Sequence, residues 1–440
     1  MNTEAIESWY RKVTDEYRSR THSSAALFHN GKKYLPGGDT RFSVTIRPHP
    51  LYFTRGEGPH VWDADGNKFL DLGNNASALI HGHAHPSVVK ALQTQVAKGT
   101  SWSAHNEHQV KWARMLCERV PSLDRVRFVN SGTEANMLML KVARAATGKS
   151  KFLKLQDAYH GTYDGVEVRA HNNDPENLVP SALGVPRNLT ENVIVGQWGD
   201  ADGIADMVHN HQAELAAVVL TPFASAGGYL EPPTGFLETI RSVTEDHGVL
   251  LLFDEVISLR LAPGGAQQRY GVTPDMTAMG KLVGGGLPVG AFGGREDIMS
   301  VTSPDSPNGL ALAGTFNGNP LTAVAGISTL ELLEKDAYKH LDELGEMFQS
   351  GLAAEISEAG LPLQVTGGGS LISVLWNAEQ AEEWPTDTAE KVQHGLTLSL
   401  VNSGIWGYPF MALSTVMDKD DISHALQVSR DALQGLISAF

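Results

Sequence analysis

From about residue 85 onward the chain alternates short apolar runs with stretches of helical period, and no other feature restricts its fold as much. Apolar runs read as strands at 126–130 (VRFVN), 151–155, 193–195, 216–220 (AAVVL) and 249–253 (VLLLF). Helical periodicity covers 86–98, 107–120, 133–146 and 234–247. Strands that are apolar throughout and separated by helices call for a parallel sheet covered on both faces. The expectation is an α/β fold, with a large domain over 75–330 built on a mostly parallel sheet flanked by helices.

The chain ends have a different texture. Residues 1–30 suit one or two polar amphipathic helices, and residues 50–73 alternate around Asp65-Gly66-Asn67, a hairpin signal. A long helix over 320–353 leads into GGGSLISVLW, then strand patterns and a last helix from about 420. Segments 1–74 and 331–440 are therefore expected to build a smaller α+β domain from both ends. We find no internal repeat and no low-complexity linker.

Several function classes are disfavoured. The net charge of −16 argues against nucleic acid or an anionic membrane as partner, since both call for a basic surface. No run approaches the roughly 18 apolar residues of a membrane span, and the N-terminal residues lack an apolar signal core. The single cysteine, Cys117, excludes internal disulfides and cysteine-based zinc sites and fits a reducing compartment. A soluble cytoplasmic protein is expected, so the N-x-S/T matches at Asn75 and Asn188 have no secretory context.

In open α/β sheets ligands bind beyond the carboxyl ends of strands. Three such ends carry polar residues. After VRFVN come Ser131, Gly132 and Thr133 at a helix start, where free N–H groups and hydroxyls can bind a phosphate; a plain helix cap explains the same residues. After VLLLF comes Asp254, a carboxylate that needs a partner once it loses water. Turn N–H groups could supply that partner, and so could a protonated ring nitrogen. At the end of DMTAMG stands Lys281, which suits either a solvated lysine or a desolvated amine able to attack carbonyls. No phosphate-loop motif is present, because G-x-x-x-x-G-K-[ST] fails here and Ala143 occupies its first glycine before Gly148-Lys149-Ser150. Taken together, a phosphate cradle, a carboxylate for a ring nitrogen and an amine nucleophile are the three handles required by pyridoxal 5'-phosphate.

The ordered motifs SGTEA (131–135), YHG (159–161), DEV (254–256), GK with GGGLPVGAFGG (280–294) and GTFNGNP (314–320) resemble the class III, fold-type I pyridoxal-phosphate aminotransferases. The resemblance runs from PGGDTR at 36–41 to the last helix. It is nearest to the glutamate-1-semialdehyde aminomutase group, and DEVISLRLAPGG looks most like its β-phenylalanine and other β-amino-acid aminotransferases. It implies that Lys281 carries the cofactor and shuttles the proton, while Asp254 pairs with the ring nitrogen. It also implies that Val256 and Tyr159 cover the two ring faces, with His160 ordering its loop. Ser131, Gly132 and Thr133 would hold the phosphate together with Thr315 from a second copy of the chain, hence a homodimer with shared sites. Arg41 would bind the substrate carboxylate, although a solvated arginine is an alternative. Amino and keto acids would be the substrates.

Departures from the pattern bear on substrate. Where the family has E-P-[VM]-x-G-[NA], this chain has Thr221-Pro222-Phe223-Ala224-Ser225-Ala226, without the glutamate or the amide side chain. Tyr408-Pro409-Phe410 replaces an arginine beside a glycine, which suggests a more aromatic substrate pocket near Trp406 and Tyr408. HGHAHP (81–86) invites a metal reading, but the family uses it as a structural turn, and no metal is expected. A ping-pong transamination of a bulky or aromatic β-amino acid is the leading reading. An intramolecular aminomutase and a catalytically silent binding protein are the alternatives.

Overall fold

The computed structural model describes residues 3–41, 44–225, 227–307, 309–377 and 384–438. The chain forms two compact units, Pro86–Lys339 and a second made of Met1–His85 with His340–Phe440.

The unit Pro86–Lys339 is organised by a seven-stranded sheet. Its strands in chain order are β1 (Arg125–Val129), β2 (Lys151–Leu155), β3 (Val193–Gly196), β4 (Leu215–Leu220), β5 (Leu250–Asp254), β6 (Met276–Gly280) and β7 (Gly290–Gly294). Their order across the sheet is β1-β7-β6-β5-β4-β2-β3. The pairs β5·β6, β5·β4, β2·β4 and β2·β3 are parallel, whereas β7 runs antiparallel to both β6 and β1. The sheet is thus mostly parallel, as the apolar runs imply.

Successive side chains of each strand point to opposite faces, and each face has its own core. Phe152, Val193, Val195, Ala217, Val219 and Leu252 join one cluster with Met139 and Leu140 of the Gly132–Thr147 helix. Leu153, Ile194, Val218, Leu220, Leu251 and Phe253 join the other, against Ile204 and Ile240 of the Ala201–His211 and Phe236–Asp246 helices. The expected long helix over 320–353 is instead two helices, Pro320–Leu332 and Lys335–Ala359. No glycine or proline marks the break, which falls at Leu333-Glu334.

The interior also holds polar residues. Lys154 of β2 is buried, and its ammonium donates to the carbonyls of Val166 and Val168 at 3.1 and 3.2 Å. Burial pushes this amine down to about 8, with Asp157 and Glu167 opposing the shift. The unfolded chain therefore binds more protons than the folded one between about pH 8 and 10.5, so stability rises with pH across that window. Unfolding of the wild-type chain and of Lys154→Met at pH 7.5 and 9.5 checks this. The wild type should gain roughly 2 kcal/mol relative to the variant. Equal pH slopes in the two proteins would refute it.

The second unit holds helices Thr3–Arg20 and His22–Gly31, then strands Phe53–Glu57, His60–Asp63 and Lys68–Asp71. The last two strands form the hairpin expected around Asp65-Gly66-Asn67. Ile405–Trp406 adds to it in parallel beside Lys68–Asp71. A separate antiparallel sheet joins Leu363–Gly368, Leu371–Trp376 and Phe410–Ala412, and the last helix is Lys419–Ile437. Among the described residues no helix is long and apolar enough to cross a membrane.

Candidate active site

The polar residues lie at or just after the carboxyl ends of strands β1, β5 and β6 of the large sheet. Asp254, the last residue of β5, pairs in register with Ala278 of the parallel strand β6, whose end delivers Lys281 three residues on. Across the antiparallel strand β7, Gly280 is opposite Gly290, and Gly290 is opposite Val129 at the end of β1. Ser131 and Lys281 thus leave the sheet from the same row. Gly290 makes that possible, since a β carbon there would lie 1.9 Å from the Ser131 carbonyl oxygen.

Ser131 caps the Gly132–Thr147 helix, its hydroxyl accepting the Glu134 N–H at 3.1 Å. The cap reading is therefore realised, and it leaves room for an anion site at the same helix start. The first-turn N–H groups of Gly132 and Thr133 have no partner inside the helix, and the helix dipole favours negative charge there. Thr133 Oγ1 also accepts the Thr162 N–H at 3.4 Å, and Gly161 lets that loop close in, because a β carbon on it would lie 2.6 Å from Thr133 Oγ1.

Asp254 is buried and well held. Its Oδ2 accepts from Asn136 Nδ2 and bonds to His160 Nδ1, both at 2.8 Å, while Oδ1 accepts the Val256 N–H at 3.1 Å. An ionised Asp254 makes Nδ1 of His160 the donor. The opposite ring atom, His160 Nε2, and Asn136 Oδ1 are both buried and have no hydrogen-bond partner among the described residues. Each carboxylate oxygen can accept more than one bond, so Oδ1 keeps capacity for another N–H.

Val256 lies between two glycines. A β carbon on Gly132 would come within 3.1 Å of its Cγ1, and one on Gly280 within 3.3 Å. Lys281 itself is half-buried and has φ of 50°, the left-handed region that a lysine rarely adopts. Backbone strain of this kind persists only where the surroundings enforce it, and it gathers at functional sites. Unpaired first-turn N–H groups of a helix, a buried carboxylate with spare acceptor capacity, an apolar Val256 packed between two glycines and a strained lysine together suit pyridoxal phosphate.

The other expected residues have surroundings of their own. Tyr159 is 60% exposed. Thr315 is exposed on a turn whose Asn317 accepts from Asn130 Nδ2 at 2.8 Å. Thr221 is buried directly after β4, Phe223 stacks near Tyr229 at 5.9 Å between centroids, and Ala226 lies outside the described residues. In the other unit, Arg41 is exposed and its Nη1 donates to Asn75 Oδ1 at 2.8 Å. Tyr408 lines a small apolar cavity with Leu352, Ile356, Leu363 and Leu400, and burial pushes its phenol up. Of the HGHAHP histidines, His83 Nε2 bonds to Asp71 at 2.6 Å and His81 Nδ1 to Thr415 at 2.7 Å.

Two residues of the site are absent from the sequence reading. Asn136 sits at a helix position whose neighbours Ala135, Met139 and Leu140 are core, and a lone amide on such a face signals a buried polar partner. Glu255 is wholly buried beside Asp254 and takes donors from Ser258 Oγ, Ala266 N–H, Gln267 N–H and Gln267 Nε2. Burial holds its carboxyl above the usual carboxylate range, against those donors. Its adjacency to Asp254 in a D-E pair was the only signal available.

Comparison with known proteins identifies the family. The family model described as Aminotransferase class-III matches residues 42–432. A glutamate-1-semialdehyde 2,1-aminomutase of Desulfotalea psychrophila is 39% identical over 395 residues, 88% of this chain and 91% of that protein. An omega-transaminase from Sphaerobacter thermophilus is similar in structure, with TM-score 0.89 and 39% identity over 94% of this chain and 97% of its own. A β-phenylalanine aminotransferase from Variovorax paradoxus follows with TM-score 0.88 and 30% identity, covering 98% of each chain. The chain belongs to the class III aminotransferases, enzymes that use pyridoxal phosphate.

Proposed function

We propose that the protein is an aminotransferase that moves the amino group of a β-amino acid, bulky or aromatic in its side chain, to a keto acid by a ping-pong mechanism. The observation that carries the reading is Lys281, strained at the end of β6 beside the Asp254–His160–Asn136 group. Bound pyridoxal phosphate supplies an electron sink for the bond broken next to the substrate amine. Ser131, Gly132 and Thr133 hold its phosphate, joined by Thr315 of the partner subunit in a homodimer. Asp254 keeps the proton on the ring nitrogen. Val256 backs one ring face, and Tyr159 can cover the other, since its exposed ring would leave water on closing. The Lys281 amine carries the cofactor and moves the proton at the reacting carbon. Arg41 takes the substrate carboxylate, with Tyr408 as a further substrate-pocket residue.

The β-amino-acid preference is supported by the likeness to the Variovorax enzyme and by Arg41 in PGGDTR. The aminomutase reading is supported by relatives of that name at 39% identity. Thr221 in place of the family glutamate weighs against it. One assay separates the two. With 3-amino-3-phenylpropanoate and 2-oxoglutarate we expect nitrogen in the acceptor, one oxo product per transfer, and parallel double-reciprocal plots. Isomerisation of glutamate-1-semialdehyde alone, with no transfer to any keto acid, would replace this reading with the mutase.

A further inference from the structure

Four successive residues that are not glycine, Asn74, Asn75, Ala76 and Ser77, have φ of 43°, 50°, 54° and 73°. They make one turn of left-handed helix, closed by Ser77 N–H to the Gly73 carbonyl at 3.1 Å and Leu79 N–H to the Asn74 carbonyl at 3.0 Å. In this hand the β carbon crowds the next carbonyl oxygen, and even asparagine usually visits it as a single residue. Something must hold the turn in place.

Its base is buried and tied down. Asp71 Oδ1 accepts the N–H groups of Gly73 and Asn74 at 2.8 and 2.9 Å, while Oδ2 bonds to His83 Nε2. Asn74 is fully buried and its amide donates to the Ala412 carbonyl. The crest is exposed at Asn75 and Ala76. From that crest Asn75 Oδ1 accepts Nη1 of Arg41 at 2.8 Å, and the Arg41 main-chain N–H is held by Asp39 Oδ1 at 2.7 Å.

The chemistry of the acceptor is telling. An amide oxygen orients a guanidinium without cancelling its charge, and leaves four of its five N–H donors for another group. A carboxylate at position 75 would form a charge-assisted pair with Arg41 and compete with any carboxylate ligand. A turn of the usual hand would send the side chain at 75 in another direction.

We propose that Asn75 is a positioning residue for substrate specificity: the left-handed turn presents its neutral amide to Arg41, fixing the guanidinium for a bidentate grip on the substrate carboxylate. This rests on the reading of Arg41 as the carboxylate contact.

The test uses holoenzyme and two probes, 3-phenylpropionate and 3-phenylpropanol, which differ in the carboxylate alone. Binding is measured by calorimetry for the wild type, Asn75→Asp, Asn75→Gly and Arg41→Ala. Both Asn75 variants tolerate a positive φ, so the turn survives. We expect Asn75→Asp to weaken phenylpropionate by about tenfold and Asn75→Gly by about threefold, with phenylpropanol unchanged. In turnover of 3-amino-3-phenylpropanoate the loss should fall on KM more than on kcat. If Arg41→Ala weakens phenylpropionate and neither Asn75 variant does, the positioning role is overturned and the Arg41 contact stands. If the Asn75 variants lower the melting temperature without changing the ratio of the two affinities, the turn is structural only and the proposal fails. If Arg41→Ala leaves phenylpropionate binding intact, the Arg41 reading fails and takes the proposal with it.

Discussion

Replacing Lys281 by alanine is expected to lower transamination by about 10⁴-fold or more, the upper end for a positioned proton-transfer group, because one amine has two tasks. In the function proposed above it carries the cofactor and also moves the proton at the reacting carbon. The backbone supports this assignment independently of family likeness. Lys281 has φ of 50° directly after the extended Gly280, so its side chain leaves β6 in a direction that an ordinary strand residue would not take. The strain also gives a control. Lys281→Gly should match or exceed the wild type in melting temperature while being equally inactive, since glycine adopts positive φ without steric cost. Borohydride treatment of the holoenzyme should fix the cofactor to the peptide containing position 281. Labelling at another lysine, or near-normal turnover of Lys281→Ala, would remove Lys281 from the mechanism.

Much of this frame was legible because burial leaves a strong local trace. Strands β4 and β5 are apolar on both faces, and a polar residue at the end of such a run stands out, as Asp254 does. The antiparallel strand β7 carries little strand signal, since three of the five residues in GAFGG are glycine. Gly290 pairs in the sheet and also admits the Ser131 carbonyl at a distance no β carbon would allow. Strand direction is set by connection length: residues 281–289 are too few for a parallel crossover, a constraint that periodicity does not express. The left-handed turn at 74–77 left even less trace. Asparagine tolerates that conformation, but Ala76 and Ser77 carry no local preference for it, and what imposes it is Asp71 with His83 and Asn74 with the distant Ala412. Asn136 and Glu255 were missed for the same reason, since their partners are remote in sequence or hidden in backbone N–H groups.

The second large effect is expected at Asp254. Alanine there should lower turnover by about 10² to 10³-fold, the range for losing one preorganised electrostatic group at a reacting centre. The surroundings explain why no neighbour can substitute. Asn136 Nδ2 and His160 Nδ1 both point at Oδ2, and their opposite atoms, Asn136 Oδ1 and His160 Nε2, already lack partners among the described residues. Removing the carboxylate leaves two further buried groups unsatisfied, at roughly 1–3 kcal/mol each, so a lower melting temperature should accompany the lost activity. Asp254→Asn separates the two effects. If its amide oxygen keeps the bonds to Asn136 and His160, stability is largely retained. Its amide nitrogen then replaces the acceptor facing the Val256 N–H, and no anion is left to hold a proton on the cofactor ring. The expected result is a folded protein that binds cofactor but turns over nearly as slowly as the alanine variant. His160→Gln, which can still donate to Oδ2, should lose only about tenfold, because it alters the support of Asp254 and leaves the charge in place. Rapid turnover in Asp254→Asn would mean that the carboxylate is merely a structural knot between β5, the Gly132–Thr147 helix and the His160 loop.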